Sequence, residues 1–302
     1  MATLTETFDG GQPTLPFSGT WITTTTSPYS GTHCYTNNDI GANETATTTL
    51  KIKFITDGSI SFWVRTSTEY TYDKLRFYID GVQQGSYSGP NGWQQVSFNV
   101  TAGYHILQWK YSKDGSGDSG EDAVFIDEIV IVGDVIMYKD ITPVMTGSST
   151  PSPYVVSASG FTAPNDPWKA FDGSLLTRWQ ANDNTGNITL DFGTSKTIKN
   201  YSVTPFDAAN GGRPTALNLE GSNDNSTWTT LDNKSGLTMT DGANDYLIDN
   251  ATAYRYYRLT ASKLENSLYV EMKEINYYEN YETETAPVET SNPKRYAYAL
   301  FI

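Results

Sequence analysis

The chain has 302 residues, room for two domains of roughly 130–150 residues each, either able to bury a core without disulfides. A formal net charge of -14 argues against nucleic acid and anionic membrane surfaces as partners, and is compatible with calcium and with neutral sugars. One cysteine, Cys34, leaves no intramolecular disulfide framework, and the lack of C-x-x-C or H-x-x-x-H-type spacing sets zinc aside.

From the start, "MATLTETFDGG" carries neither the basic nor the apolar region of a signal peptide, so none is expected. His33 and Cys34 adjoin in a strand-like stretch, where neighbours point to opposite faces, so they cannot readily act together on one substrate. Cys34 is expected to be a buried filler. Alternating apolar residues then recur in "TTTLKIKFI", "GSISFWVRT", "KLRFYIDG", "WQQVSFNV", "YHILQWKYS" and "AVFIDEIVIVG". Gly, Asp or Asn separates them, which predicts a β-sandwich rather than βαβ units. Asp80-Gly81 between apolar runs predicts a tight hairpin. "SKDGSGDSGED" gathers Asp114, Asp118, Glu121 and Asp122 in one Gly-rich loop. It lacks the EF-hand ligand spacing, so a solvated loop is favoured over a weak calcium site.

A first domain is expected over 1–133 and a linker over 134–143, with a Ser/Thr/Pro/Gly stretch, "MTGSSTPSPY", just beyond. A second domain follows over 144–280, with strands at "NITLDFG", "TIKNYSVTP", "ALNLEGS", "RYYRLTA" and "LYVEMKEINYYE". Residues 281–302 form an acidic, Pro-broken tail that ends Ala299-Leu300-Phe301-Ile302, an apolar end suited to docking or oligomerisation. No apolar run approaches the about 18–20 residues of a membrane span, so no membrane insertion is expected. The fold class predicted is all-β: two tandem jelly-roll sandwiches with an extended C-terminal tail.

Five pieces in order along the second domain carry a resemblance. They are "WKAFDGSLLTRW", "ITLDFGTSKTIKNYSV", "GRPTALNLEGSNDNSTWTTL", "AYRYYRLTA" and "YVEMKEINYY". Together they resemble discoidin, or factor V/VIII type C, domains of the bacterial kind grouped as family 32 carbohydrate-binding modules. The cysteine pair of animal members is absent. The resemblance implies an eight-stranded jelly roll with ligand loops at one end. It also implies structural calcium, bound by the Asp172 side chain, Thr177, carbonyls around Lys169 and Ser174, and the Glu274 carboxylate. A turn that aims several oxygens at one point is what a hard cation requires. A metal-free turn held by Asx hydrogen bonds is the alternative. Trp179 is expected beneath the turn as core.

Sugars need paired hydrogen bonds to adjacent hydroxyls and a flat apolar face. The candidates are Trp168, Asn182, Asp183, Asn210, Arg213 and Asn266, with the loop "FDAANGGRP" foremost. Arg213 could instead only pin its own loop, and Trp168 could pack on the linker.

The first domain resembles MAM-like jelly rolls of surface adhesins, through "GSISFWVRTSTEYTYDKLRFYIDG", "WQQVSFNVTAGYHILQWKYSKDGS" and "GEDAVFIDEIVI". The expected function is non-catalytic glycan recognition or adhesion. The expected setting is a phage virion fibre, decoration or tail component at the virion surface, or an extracellular or cell-surface location. Partners expected are glycans, further copies of the chain, and other virion or surface proteins held through the tail. A purely structural virion component that binds only protein, or an accessory part of a glycoside hydrolase, is the competing class.

Overall fold

The computed structural model describes residues 2–281 except 38, 118, 207–211 and 264–268. The tail 282–302 lies outside the described residues, and with it the docking element expected there. The regular secondary structure of the described residues is β-strand apart from one short 3-10 turn, Pro167–Phe171.

The first strands are short: β1 (Thr3–Glu6), β2 (Ser18–Gly19), β3 (Ile22–Thr24) and β4 (Cys34–Thr36). Longer ones follow: β5 (Thr45–Phe54), β6 (Gly58–Ser67), β7 (Lys74–Ile79) and β8 (Val82–Tyr87). Then come β9 (Asn91–Val100), β10 (Gly103–Ser112), β11 (Ala123–Val132) and β12 (Val135–Asp140). The second half has β13 (Val155–Ala158), β14 (Trp179–Gln180), β15 (Thr185–Lys196) and β16 (Asn200–Pro205). It closes with β17 (Ala216–Ser222), β18 (Thr229–Ser235), β19 (Asn244–Leu247), β20 (Tyr254–Ser262) and β21 (Glu271–Tyr281).

Side-chain alternation explains which faces meet. On β6 Ile60, Phe62 and Val64 are buried, and on β10 Leu107, Trp109 and Tyr111 are buried, with partly exposed residues between them. Ile79 pairs with Val82 across Asp80-Gly81, the predicted hairpin. One core gathers around Trp109, Phe62 and Phe77, a second around Trp179, Phe192, Tyr257 and Tyr277. Cys34 is fully buried, and burial pushes its thiol up to about 12, which keeps it an unreactive filler.

The sheets run antiparallel. A sheet ordered β3-β4-β11-β6-β9, with β1 on β11, serves the first core, and β13-β15-β20-β17-β18 serves the second. The third sheet has 10 strands and belongs to both: β19-β16-β21-β12-β5-β10-β7-β8, with β14 on β21 and β2 on β5.

That shared sheet corrects the expected linker at 134–143. β12 pairs with β5 on one side (Val135 with Phe54) and with β21 on the other (Met137 with Tyr281). The apolar run "VIMY" has strand propensity, and its backbone groups find ladder partners on both edges. Met137 enters the first core, and Met145, a few residues on, enters the second. The Ser/Pro-rich stretch is packed as well, since the amide of Val156 donates to the Ser148 carbonyl at 2.7 Å.

Side chains weld the same seam. Lys51 and Asp245 form an ion pair whose side chains are 7% and 8% exposed, and the Lys51 ammonium lies 3.7 Å from the Tyr278 ring centroid. The hydroxyl of Tyr281 donates to the Thr14 carbonyl at 2.6 Å. Burial outweighs the attraction of Asp245 and holds the Lys51 ammonium below its ordinary range.

Candidate functional site

The second sandwich carries two features at its loops. The first is the turn that follows Pro167–Phe171. Asp172 ends the 3-10 turn, and Gly173 takes φ +74, a conformation open to glycine because it has no Cβ. The chain then folds back on itself. The Thr177 hydroxyl donates to the Asp172 carboxylate, 2.9 and 2.7 Å from its two oxygens, and lies 3.1 Å from the Ser174 carbonyl oxygen. The Ser174 amide donates to Asp172 at 2.9 Å and to Glu274 Oε1 at 3.0 Å. A turn and a distant strand residue thus meet at one corner.

Glu274 is buried on β21, and its carboxyl is pushed up to about 8, first by burial and then by the neighbouring Asp172 carboxylate. The two carboxyls meet there, and among the described residues no ammonium or guanidinium pairs with either as a counter-charge. The Lys169 ammonium does not supply one: it bonds the Pro164 carbonyl and faces Asp166 at 3.5 Å. The donor atoms at the corner are all oxygen, from two carboxylates, a hydroxyl and a carbonyl, which fits a hard cation. Trp179 is fully buried, as expected of it, and its indole N–H donates to the Gly160 carbonyl at 3.1 Å.

The second feature is the loop end where a sugar was expected. Asn210 and Asn266 lie outside the described residues. Trp168 packs half-buried against the second core from within the 3-10 turn. Asn182 and Asp183 are exposed between β14 and β15, and the Asp183 side chain accepts the amide of Asn184 at 2.7 Å. Arg213 does not present an open fork. One terminal nitrogen donates to the Met239 carbonyl at 2.6 Å and the other pairs with Asp241. Its donors tie two loops of the protein together, the alternative that the sequence left open.

A group not singled out from sequence occupies the same end. Arg178 Nε donates to Glu271 Oε1 at 2.8 Å, and its guanidinium lies 4.0 Å from the Phe206 ring centroid. The Lys273 ammonium stands 5.5 Å from the same ring. Gly212 lets this group close up: a Cβ there would fall 2.5 Å from Glu271 Oε2, and the Glu271 amide donates to the Gly212 carbonyl at 3.0 Å. The second glycine of "GGR" therefore has a packing reason. A signal was present in the sequence: Glu271 and Lys273 are two apart on a strand, hence on one face, and Arg178 sits inside the quoted turn. The half-buried ring thus carries the Arg178 guanidinium over it and the Lys273 ammonium further out, with the Glu271 carboxylate bonded to Arg178, so an aromatic surface, cationic donors and an acceptor are gathered in one place.

The described chain is thus two sandwiches joined through one sheet, the second with a carboxylate corner and a ring-and-cation loop end. Residues 147–275 match the F5/8 type C domain family. Solved structures similar to the chain include the family 32 carbohydrate-binding module of C. perfringens NanJ in complex with galactose. It is 17% identical with a TM-score of 0.38, over 42% of this chain and 93% of that one. The family 32 module of AlyQ in complex with 4,5-unsaturated mannuronic acid is 25% identical with a TM-score of 0.36, over 41% and 92%. Chitosan-binding module 1 of a Paenibacillus sp. IK-5 chitosanase/glucanase is 21% identical with a TM-score of 0.36, over 41% and 94%. No curated protein matches the chain. The matched family residues lie in the second sandwich; the MAM-like resemblance of residues 1–133 rests on their sequence alone. No helix among the described residues is long and apolar enough to cross a membrane.

Proposed function

We propose that the protein is a non-catalytic glycan-recognition module, with the saccharide held at the loop end of the second sandwich. The observation that carries this reading is the half-buried Phe206 ring, flanked by Arg178, Lys273 and Glu271, at the loops of a sandwich that matches the F5/8 type C family. In this reading the C–H surface of a sugar ring packs on the part of Phe206 that Arg178 leaves uncovered. Arg178 and Lys273 donate to its hydroxyl or carboxylate oxygens, and Glu271 orients Arg178. Arg213 supports the site from behind by bonding the 239–241 loop.

Calcium at the Asp172 corner is part of the proposal. Asp172, Thr177, the Ser174 carbonyl, Glu274 and the backbone at Lys169 would hold it. A bound ion supplies the missing counter-charge to the two acids and fastens the turn to β21. Its role is structural. Single-sugar affinities of such sites are weak, so several copies of the chain, assembled through the tail 282–302, would supply useful avidity at a virion or cell surface. A phage fibre, decoration or tail protein is the setting that fits this use.

The test is a glycan array probed with the full chain, as purified and as a multimer, alongside a polysaccharide hydrolysis assay. The reading predicts binding that strengthens with multimerisation, and no hydrolysis. Cleavage would point to an enzyme, and silence of the multimer on the array would favour a structural component that binds only protein.

A further inference from the structure

The loop end of the first sandwich holds a second acidic group, independent of the reading above. Glu69 and Asp73 come from the loop between β6 and β7, and Asp114 from the loop after β10. β7 and β10 are paired neighbours, Lys74 opposite Ser112, so these loops emerge side by side. One carboxylate oxygen from each of the three residues lies within 4.8 Å of the others.

The decisive residue is Asp73. It is 0% exposed. Its Oδ1 accepts the Asp114 amide at 2.9 Å, whereas Oδ2 is buried without a hydrogen-bond partner. A buried carboxylate oxygen left unsatisfied costs free energy unless something else meets it. The cations of the neighbourhood are committed elsewhere: Lys113 pairs with Asp122, and Arg65 with Glu121 at 2.8 Å. Lys113 still acts on Asp73 from nearby, yet burial prevails and pushes the Asp73 carboxyl up.

The frame around the group is well tied. The Thr68 hydroxyl donates to the Asp73 carbonyl at 3.1 Å and accepts the Gly89 amide at 2.9 Å. The Asp114 carbonyl accepts the Asn43 amide at 2.7 Å. Gly117 lies over Glu69, where a Cβ would fall 2.6 Å from Oε2. Three carboxylates with no nitrogen or sulfur donor among them suit a hard, oxygen-seeking ion.

We propose that Glu69, Asp73 and Asp114 bind a divalent cation of the calcium class at the loop end of the first sandwich. Of the other acids that the sequence placed in the same loop, Asp118 lies outside the described residues and Glu121 is held by Arg65.

The experiment uses the full chain carrying Asp172→Ala, so that the second-sandwich corner contributes nothing. Calcium titration by calorimetry and equilibrium dialysis should still find about one ion per chain. Adding Asp73→Asn should weaken that binding about tenfold or more, by removing ligand charge. The melting temperature supplies a second readout. In chelator Asp73→Asn should melt no lower than its parent, since it removes a buried charge. In calcium the order should reverse. Should Asp73→Asn fail to fold, Glu69→Gln takes its place with the same expected loss of affinity. Absence of calcium binding in Asp172→Ala, or binding unchanged by Asp73→Asn or Glu69→Gln, overturns the proposal.

Discussion

The two loop ends solve a similar electrostatic problem with different parts. In the second sandwich one compact turn, 172–177, supplies most of the oxygen atoms, and a single strand residue, Glu274, completes the corner. In the first, residues from two separate loops converge on Asp73, whose second oxygen has no protein partner. A corner built on a local turn announces itself as a contiguous motif. A corner built by strand pairing is visible only once the register of β7 and β10 is known. Both corners belong to one body, because the 10-stranded sheet passes through both sandwiches.

The strongest way to break that unity is at the seam. Removing one member of a buried ion pair leaves the other uncompensated, at a cost of roughly 3–5 kcal/mol. Lys51→Ala should therefore shift the urea midpoint strongly, and probes in the two sandwiches should report the same transition. Burial already holds Lys51 below its ordinary range, so the pair is a poor net stabiliser, and Lys51→Met with Asp245→Leu should recover most of the loss. Two separated transitions in the parent protein would instead restore independent units. By the same logic a fragment of residues 144–280, which lacks β12, should be less stable than one that begins at residue 134.

Calcium sharpens the contrast between the corners. An ion bound only by the native state stabilises by about 2.7 kcal/mol at a hundredfold excess over its Kd. Chelator should lower the melting temperature by several degrees, and Asp172→Ala should remove the part of that sensitivity that belongs to the second corner. A melt indifferent to chelator in every variant would leave a metal-free turn held by hydrogen bonds.

The pH dependence separates the sandwiches in another way. Glu274, ordinarily near 4.5, is pushed up to about 8, so the folded chain keeps a proton that the unfolded chain has released. In chelator stability should fall as pH rises across that window. Asp127 of the first sandwich, pushed from 3.8 up to about 6 by burial, adds a slope of the same sign at lower pH. Of these two groups, only Glu274 acts between about 6 and about 8. Calcium should flatten that upper part, and Glu274→Gln should abolish it in denaturation curves run at several pH values.

Much of this was legible in the chain. Alternating apolar residues predicted the strands, Asp80-Gly81 predicted its hairpin, and the family resemblance implied a corner at which Asp172, Ser174, Thr177 and Glu274 do meet. The seam was not, because "VIMY" beside a Ser/Pro-rich stretch gives no hint of which edges it will join. The Arg178, Phe206, Glu271 and Lys273 group escaped for a related reason: it assembles across a turn, a loop and a strand far apart in sequence. Arg213, which local chemistry favoured as an open fork, is spent on Met239 and Asp241 instead.

Smaller effects are expected at that loop end. Arg213→Ala removes a charge-assisted hydrogen bond worth roughly 1.5–3 kcal/mol, with the lower figure expected because Asp241 is largely exposed. Its influence on any ligand should be indirect.

The most direct measurement is glycan binding by an engineered multimer of the chain with and without Phe206→Ala, each variant checked for an unchanged fold. The account predicts that the best array ligand binds about tenfold more weakly, or worse, once the ring is removed, with Arg213→Ala the milder change. Binding to Phe206→Ala as tight as to the parent protein would contradict it.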